Sequence, residues 1–341
     1  MEQATIIGID LAKRSFQVHG ARPDGSVAFR KKLSRAQVLG FVASQPRCLV
    51  AMEACASAHH WGRAFEDLGH EVKLIPPVYV KPFVKRQKND GADAEAICEA
   101  ASRPTMRFVA VKTREQQARG MLFRTRDLLV RQRTQTINAL RGHFAEFGVI
   151  APRGPAHVER LADAVEDADS RLPDPVRELG ALLLVQVSGL DEKIGELDND
   201  LRKQAREDEQ AKRLMSVPGI GTVCAMAIQA FAPPMESFRS GRDFAAWLGL
   251  VPRQSSTGGK PKLGKISKMG QRDLRRLLIT GAMGTVCWAV RRGATKDPWL
   301  ARMLARKPRM LVAVALANRM ARIAWALLTK NEYYRAPQPT A

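Results

Sequence analysis

Ile6-Ile7-Gly8-Ile9-Asp10 is the stretch on which the reading of this chain turns. An apolar, β-branched run of this kind forms a buried strand. A carboxylate ending such a strand costs desolvation energy unless a cation or a proton neutralises it. Two further segments repeat the pattern. Leu49 to Glu53 is a short apolar run closed by a second acid, and Asp90 and Asp93 stand three residues apart where a helix opens. One helical turn brings that pair towards the same side. Three segments that each put acids at the edge of a core predict one metal-binding cluster, Asp10, Glu53, Asp90 and Asp93. Hard oxygen donors suit Mg²⁺, with Mn²⁺ able to substitute. Two such ions, about 3.5–4 Å apart, stabilise both the entering and the leaving oxygen of an in-line displacement.

Working outward, a strand through Ile9 and a second through Phe16-Gln17-Val18-His19 are joined by a turn near Ala12-Lys13. Pro23-Asp24-Gly25 is a turn signal before a third strand at Val27-Ala28-Phe29, which makes an antiparallel meander. Ser34 is placed to cap a helix through Val42. A helix over about 60–68 then leads through Gly69 into the strand Val72-Lys73-Leu74-Ile75, and a helix over about 92–102 follows the acid pair. This order is that of an α/β sheet domain, set at residues 1–112.

From 113 to 148 the chain reads as a long helix. Residues 149–174, rich in Pro, Gly, Asp and Ala, read as a link. Val176, Leu179, Leu183, Gln186, Leu190, Ile194, Leu197 and Leu201 then alternate steps of three and four, the period of a coiled-coil seam. Such a seam is either an intramolecular hairpin or a subunit interface. Residues 113–205 are therefore a helical, coiled-coil region, and 206–335 a helical domain. In that domain Pro218-Gly219-Ile220-Gly221 makes a helix-hairpin-helix turn, Ser240 to Asp243 resembles a capping box, and 251–270 is a Gly/Ser-rich basic loop. A tail, 336–341, is expected to be disordered.

The formal charge is +21, and it is uneven: Arg253 to Arg309 holds fifteen basic residues against Asp273 and Asp297. A field of that strength attracts phosphate polyanions. Gly219 and Gly221, with Arg253, Lys260, Lys262, Lys265, Lys268, Arg272, Arg275 and Arg276, are the candidate nucleic-acid contacts. Hydrophobic residues make up 45%, which excludes a basic disordered tail. The five cysteines are scattered without a CxxC pair, so neither a zinc site nor a disulfide framework is indicated. No signal peptide is visible, and no apolar run is expected to span a bilayer, so the protein is expected in the cytoplasm without a membrane.

In the basic loop, Ser255-Ser256-Thr257-Gly258-Gly259-Lys260 brings hydroxyls and cations together. Serine is a weak nucleophile without a base or metal-assisted activation, and no Ser-His-Asp spacing is present. Composition alone therefore favours a phosphate-binding loop. His59 and His60, one to two helical turns past Glu53, read as helix-start residues more readily than as catalysts.

These residues also resemble a known family. Gly8-Ile9-Asp10 with Lys13, Met52-Glu53-Ala54-Cys55 with His59, and Lys88 to Ala94 resemble the DEDD half of the insertion sequence one-ten family of transposases and the related Piv-type invertases. Val217 to Gly221, Phe244 to Pro252 and Ser255 to Gly270 resemble its C-terminal half. The resemblance implies a RuvC-like, RNase H-type domain whose four acids hold Mg²⁺. It implies a C-terminal serine that attacks DNA to give a phosphoserine link, with Ser256 in register and Ser255 beside it. It further implies a structured, element-encoded noncoding RNA that pairs with donor and target DNA. It also implies a homo-oligomer, a dimer or dimer of dimers, in which acids of one subunit meet the serine of another. The competing expectations are a RuvC-like Holliday-junction endonuclease using metal-activated water, a sugar-kinase-like enzyme, and a non-catalytic RNA chaperone.

Overall fold

A computed structural model describes residues 3–85, 90–167, 169–293, 295 and 297–336, with the main chain only at position 90. Two compact units, Met1–Gln117 and Ala118–Ala341, divide the chain. The expected helical region and C-terminal domain therefore lie in one unit. The tail expectation over 336–341 falls, Ala336 apart, outside the described residues.

The first unit contains β1 (Ile6–Asp10), β2 (Ser15–Ala21), β3 (Val27–Ser34), α1 (Gln37–Ala43), β4 (Leu49–Glu53), α2 (Ala58–Asp67), β5 (Glu71–Ile75), α3 (Pro77–Val80) and α4 (Asp90–Ala101). The strands form one mixed sheet of order β3-β2-β1-β4-β5, antiparallel across β1, β2 and β3 and parallel across β1, β4 and β5. Alternation decides the faces. Ile7, Ile9, Val50 and Met52 pack with Val38, Val42, Trp61 and Phe65 of α1 and α2. Ala51, with Ile6 and Leu49 against it, packs on Ile97 and Ala101 of α4. Gly8 lies on the α4 face because nothing larger fits there: a Cβ at that position would stand 2.4 Å from the Ala94 carbonyl oxygen.

Ser34 does not cap α1. It ends β3, and its main-chain N–H and hydroxyl both donate to the Gln37 side-chain oxygen at 2.9 Å, while Ala36 holds the cap position.

The second unit contains most of α5 (Arg114–Ala145), then α6 (Glu159–Glu166), α7 (Asp174–Glu207), α8 (Glu209–Met215), α9 (Thr222–Phe231), α10 (Gly241–Trp247), β6 (Pro252–Thr257), β7 (Lys260–Ile266), α11 (Arg272–Arg292), α12 (Pro298–Arg306) and α13 (Arg309–Lys330). The expected link 149–174 thus carries a helix, α6, whose Leu161 is fully buried beside Phe144 and Leu172. Ser240 caps α10 as its sequence indicates, its hydroxyl accepting from the Asp243 N–H at 3.3 Å.

The coiled-coil seam closes within the chain, with α5 and α7 running antiparallel. Arg126 pairs with Asp198, Arg133 with Asp191, and Phe144 covers Gly180, so partners step down one helix and up the other. In its first half the seam keeps Val176 and Leu183, which pack partly buried beside Phe144, but Gly180 and Val187 take the places expected for Leu179 and Gln186. Gly180, Val187, Leu190, Ile194, Leu201 and Ala205 are buried, while Leu179 is 63% exposed and Gln186 faces solvent. The aromatic ring of Phe144 fills the space a side chain at Gly180 would take, 2.6 Å from where its Cβ would stand.

α13 is long and apolar enough to cross a membrane by length and composition, contrary to the sequence expectation. Here it is a core helix: Val312, Leu316, Met320 and Ala324 are buried in the cluster built by α8, α9, α10 and α11.

Candidate active site

Asp10 and Glu53 end adjacent parallel strands whose register pairs Ile9 with Met52, so both acids leave the sheet at the same edge. Each lies an even number of residues from a position that meets α4, Gly8 in one case and Ala51 in the other. The strand period of two therefore aims both towards α4. That helix opens at Asp90 and carries Asp93 in its first turn, one residue before the Ala94 carbonyl that lies against Gly8. Burial first, then the negative charges of Asp10 and Asp93, push the Glu53 carboxyl above its ordinary range. Three of the four expected acids thus share one electrostatic neighbourhood. Mutual repulsion around a half-buried carboxylate is the condition that a bound cation relieves, so the donor set fits a hard divalent ion. Among the described residues, no three acidic, thiol or imidazole side chains already stand in a metal-ligand arrangement. The side chain of Asp90 lies outside the described ones.

A supporting network was not legible in the sequence. Glu95, two residues beyond Asp93, accepts from Arg30 of β3 at 2.8 Å and from Lys85. The Lys85 hydrogen bond is the main reason that its carboxyl sits below the usual range. This ties the first turns of α4 to the sheet edge. Ser57, between β4 and α2, adopts a left-handed backbone (φ 71°) rare for a residue with a side chain, which shapes the turn that follows Glu53. His59 accepts from the Lys112 N–H at 3.2 Å and fastens α2 to the segment before α5, while His60 sits edge-on to Trp61.

In the second unit, the expected loop 251–270 is a two-stranded ribbon. β6 and β7 pair antiparallel around Gly258 and Gly259, whose φ values of 58° and 76° are those of a type I′ turn. Every residue from Pro252 to Lys265 is exposed. Cross-strand pairs fix the faces: Ser255 and Thr257 stand with Lys262 and Lys260, whereas Ser256 stands with Pro261 and Gln254 with Leu263. The two candidate hydroxyls therefore point to opposite faces, one cationic and one not.

The root of this ribbon corrects one expected contact. Arg275 is buried, 9% exposed, and its guanidinium donates to the Leu248 carbonyl at 2.9 Å and the Met269 carbonyl at 3.1 Å. It clamps two chain segments that cross at Gly249 and Gly270, where Cβ atoms would meet main-chain oxygens at 2.1 and 1.8 Å. With these bonds spent on main-chain carbonyls, it is not presented to solvent as the ribbon lysines are. Arg276 is exposed but engages Asp127, which also holds Arg131. Arg253 donates to the Ser267 carbonyl at 3.3 Å, and Lys260, Lys262, Lys265, Lys268 and Arg272 are exposed. Gly219 is explained by its left-handed backbone (φ 91°) and by packing, since a Cβ there would stand 2.8 Å from the Thr285 hydroxyl oxygen and 2.9 Å from the Gly281 carbonyl oxygen. Gly221 precedes α9 as its N-cap and has open space around it.

Comparison with known proteins now decides the family. The model described as Transposase, for the DEDD domain of the IS110 group, matches residues 7–148, and that of the Transposase IS116/IS110/IS902 family matches residues 211–297. A probable family 20 transposase of Pseudomonas aeruginosa is 49% identical over 96% of this chain and 98% of its own length. The chain belongs to the IS110/IS116 family of transposases. The transposase for insertion sequence element IS1328 of Yersinia enterocolitica is 44% identical over 98% of this chain and 99% of its own. The transposase for IS1111A of Coxiella burnetii is 40% identical over 98% and 92%. This transposase is accordingly an enzyme acting on DNA. The first family match spans all four acids, and the second spans the Pro218 to Gly221 turn, the ribbon and Arg275.

Proposed function

We propose that this insertion-sequence transposase cuts and rejoins DNA through a covalent serine intermediate, in an assembly directed by a structured RNA encoded by its element. The observation that carries the reading is the convergence of Asp10, Glu53 and Asp93 at one sheet edge, with Glu53 responding to the other two. Asp10, Glu53, Asp93 and Asp90 would hold Mg²⁺, one or two ions, which when bound offsets charge on a scissile phosphate. The exposed ribbon supplies the hydroxyl. The Ser256 oxygen bonds to phosphorus as the bond from phosphorus to the leaving sugar oxygen breaks. The serine proton passes to the solvent or to a carboxylate, and the leaving oxygen takes one up. Reversal by a new sugar hydroxyl restores the phosphodiester and frees the serine, so no net hydrolysis occurs.

Lys260 and Lys262, on the ribbon face opposite Ser256, are suited to gripping the adjoining backbone as point charges. Leu179, Leu182 and Val185 remain 63–73% exposed along α7 after the intramolecular seam has closed, which supports a second copy of the chain docking there. Sequence choice would come from RNA–DNA pairing, which asks few base-reading side chains of the protein.

The test is denaturing electrophoresis of the full-length protein with labelled element-end DNA, RNA and Mg²⁺. Wild type and Ser255→Ala give a protein–DNA adduct and Ser256→Ala gives none. Adduct from Ser256→Ala with none from Ser255→Ala would move the nucleophile one residue. Free 5′-phosphate ends from every variant, with no adduct, would instead favour the junction endonuclease that uses metal-activated water.

A further inference from the structure

Beside the Pro218-Gly219 turn lies a cavity of about 930 Å³ that no step above employs. Its walls are mostly apolar, from α11 and α13, with Gly284 and Ala289 leaving room where larger side chains would intrude. Trp288 stands at its edge, 53% exposed. A tryptophan left in solvent is a costly use of a large apolar surface unless a partner covers it. The Arg292 guanidinium already lies 4.4 Å from the centre of that ring, so the face accepts a flat, delocalised group.

The charge at the cavity selects the kind of partner. Its one carboxylate, Asp297, is committed: it pairs with Arg319 at 2.7 Å and accepts from the Trp299 and Leu300 N–H groups to cap α12. Arg292 is therefore the surplus charge among the lining residues. An apolar, aromatic-edged hollow with a net positive lip fits a flat heterocycle that carries a phosphate. On the other side of the same turn is a smaller hollow, which shares Gly219 and Gly281 with the first and is lined by Arg202, Gly221 and Thr222. A single strand laid over the turn meets polar groups on one side and the aromatic surface on the other.

We propose that this cavity receives an unpaired nucleobase from the bound nucleic acid, stacked on Trp288 with Arg292 turned to its phosphate. The inference rests on the nucleic-acid reading above, and the test separates the two. Full-length protein is titrated with a labelled oligodeoxythymidylate of about 15 nucleotides and with an abasic phosphodiester strand of equal length and charge. Wild type should hold the base-bearing strand about 5- to 150-fold tighter, the range for one base stacked on an aromatic ring. Trp288→Ala should erase that preference while leaving the abasic affinity unchanged, and Trp288→Phe should keep most of it. Equal wild-type affinity for both strands, or a preference that survives Trp288→Ala, would overturn the cavity assignment and leave the wider reading intact. Binding of neither strand would defeat both.

Discussion

Replacing Arg275 by Met separates a structural arginine from a phosphate contact. The aliphatic stem is kept, but the Leu248 and Met269 carbonyls lose their donor. A hydrogen bond from a charged group is worth about 1.5–3 kcal/mol net, and a buried acceptor left unmade costs about 1–3 kcal/mol. The Met269 bond, at a part-exposed residue, is counted at the low end, whereas Leu248 is 0% exposed and its carbonyl is counted in full. Counting the Leu248 bond in full and the Met269 bond weakly gives about 3 kcal/mol, near a hundredfold in the folding equilibrium. For a unit of this size that lowers Tm by roughly 6–12 °C. The assay is thermal unfolding of the full chain, paired with DNA affinity measured across salt concentrations. The expected outcome is a lower Tm with the salt slope unchanged. A wild-type Tm together with a salt slope reduced by about 0.9 would mean that Arg275 neutralises a phosphate, and the clamp would be wrong.

Gly8→Ala puts a methyl group 2.4 Å from the Ala94 carbonyl oxygen and 2.8 Å from the Cys98 sulfur. Overpacking of this kind costs about 1–3 kcal/mol, so the urea midpoint should fall and recombination should be lost as α4 lifts from β1. Glu53→Gln should abolish recombination while stabilising the metal-free protein at neutral pH. The native Glu53 pKa is raised above its ordinary 4.5, so the native state holds the proton more tightly than the unfolded chain. Wild-type stability in EDTA is then fullest below 4.5 and declines as pH rises through the raised value. Urea midpoints across that window should slope downward for wild type and less steeply for the variant, and equal slopes would remove the Glu53 contribution. Leu182→Lys with Val185→Lys, at positions 63% and 73% exposed, should leave Tm within about 1 °C while light scattering reports a loss of assembly. Unchanged assembly would acquit this stripe.

The sheet unit was legible because its physics is local. Apolar runs ended by acids marked β1 and β4, and strand parity then aims both acids at α4 without further information. Where tertiary packing decides, the sequence was silent. In the α7 seam Gly180 stands where Leu179 was expected because it lies against Phe144, a demand invisible in α7 alone. The ribbon escaped notice because both its faces are in solvent, so no apolar alternation marks it, although Gly258-Gly259 is a two-residue turn signal. Composition also misjudged Arg275, since counting cations does not separate those spent on carbonyls from those left for phosphate. Helix α6 hid in a Pro- and Gly-rich stretch, where a single buried Leu161 anchors it.

Because the β6–β7 ribbon touches solvent along its whole length and is held only at its base, its tip bears no weight in the fold. Inserting residue pairs on each side of Gly258-Gly259 would lengthen the arm that carries Ser255 and Ser256 without disturbing the clamp beneath it. If Ser256 is the nucleophile proposed above, its reach is in that sense an adjustable dimension, set by a few codons.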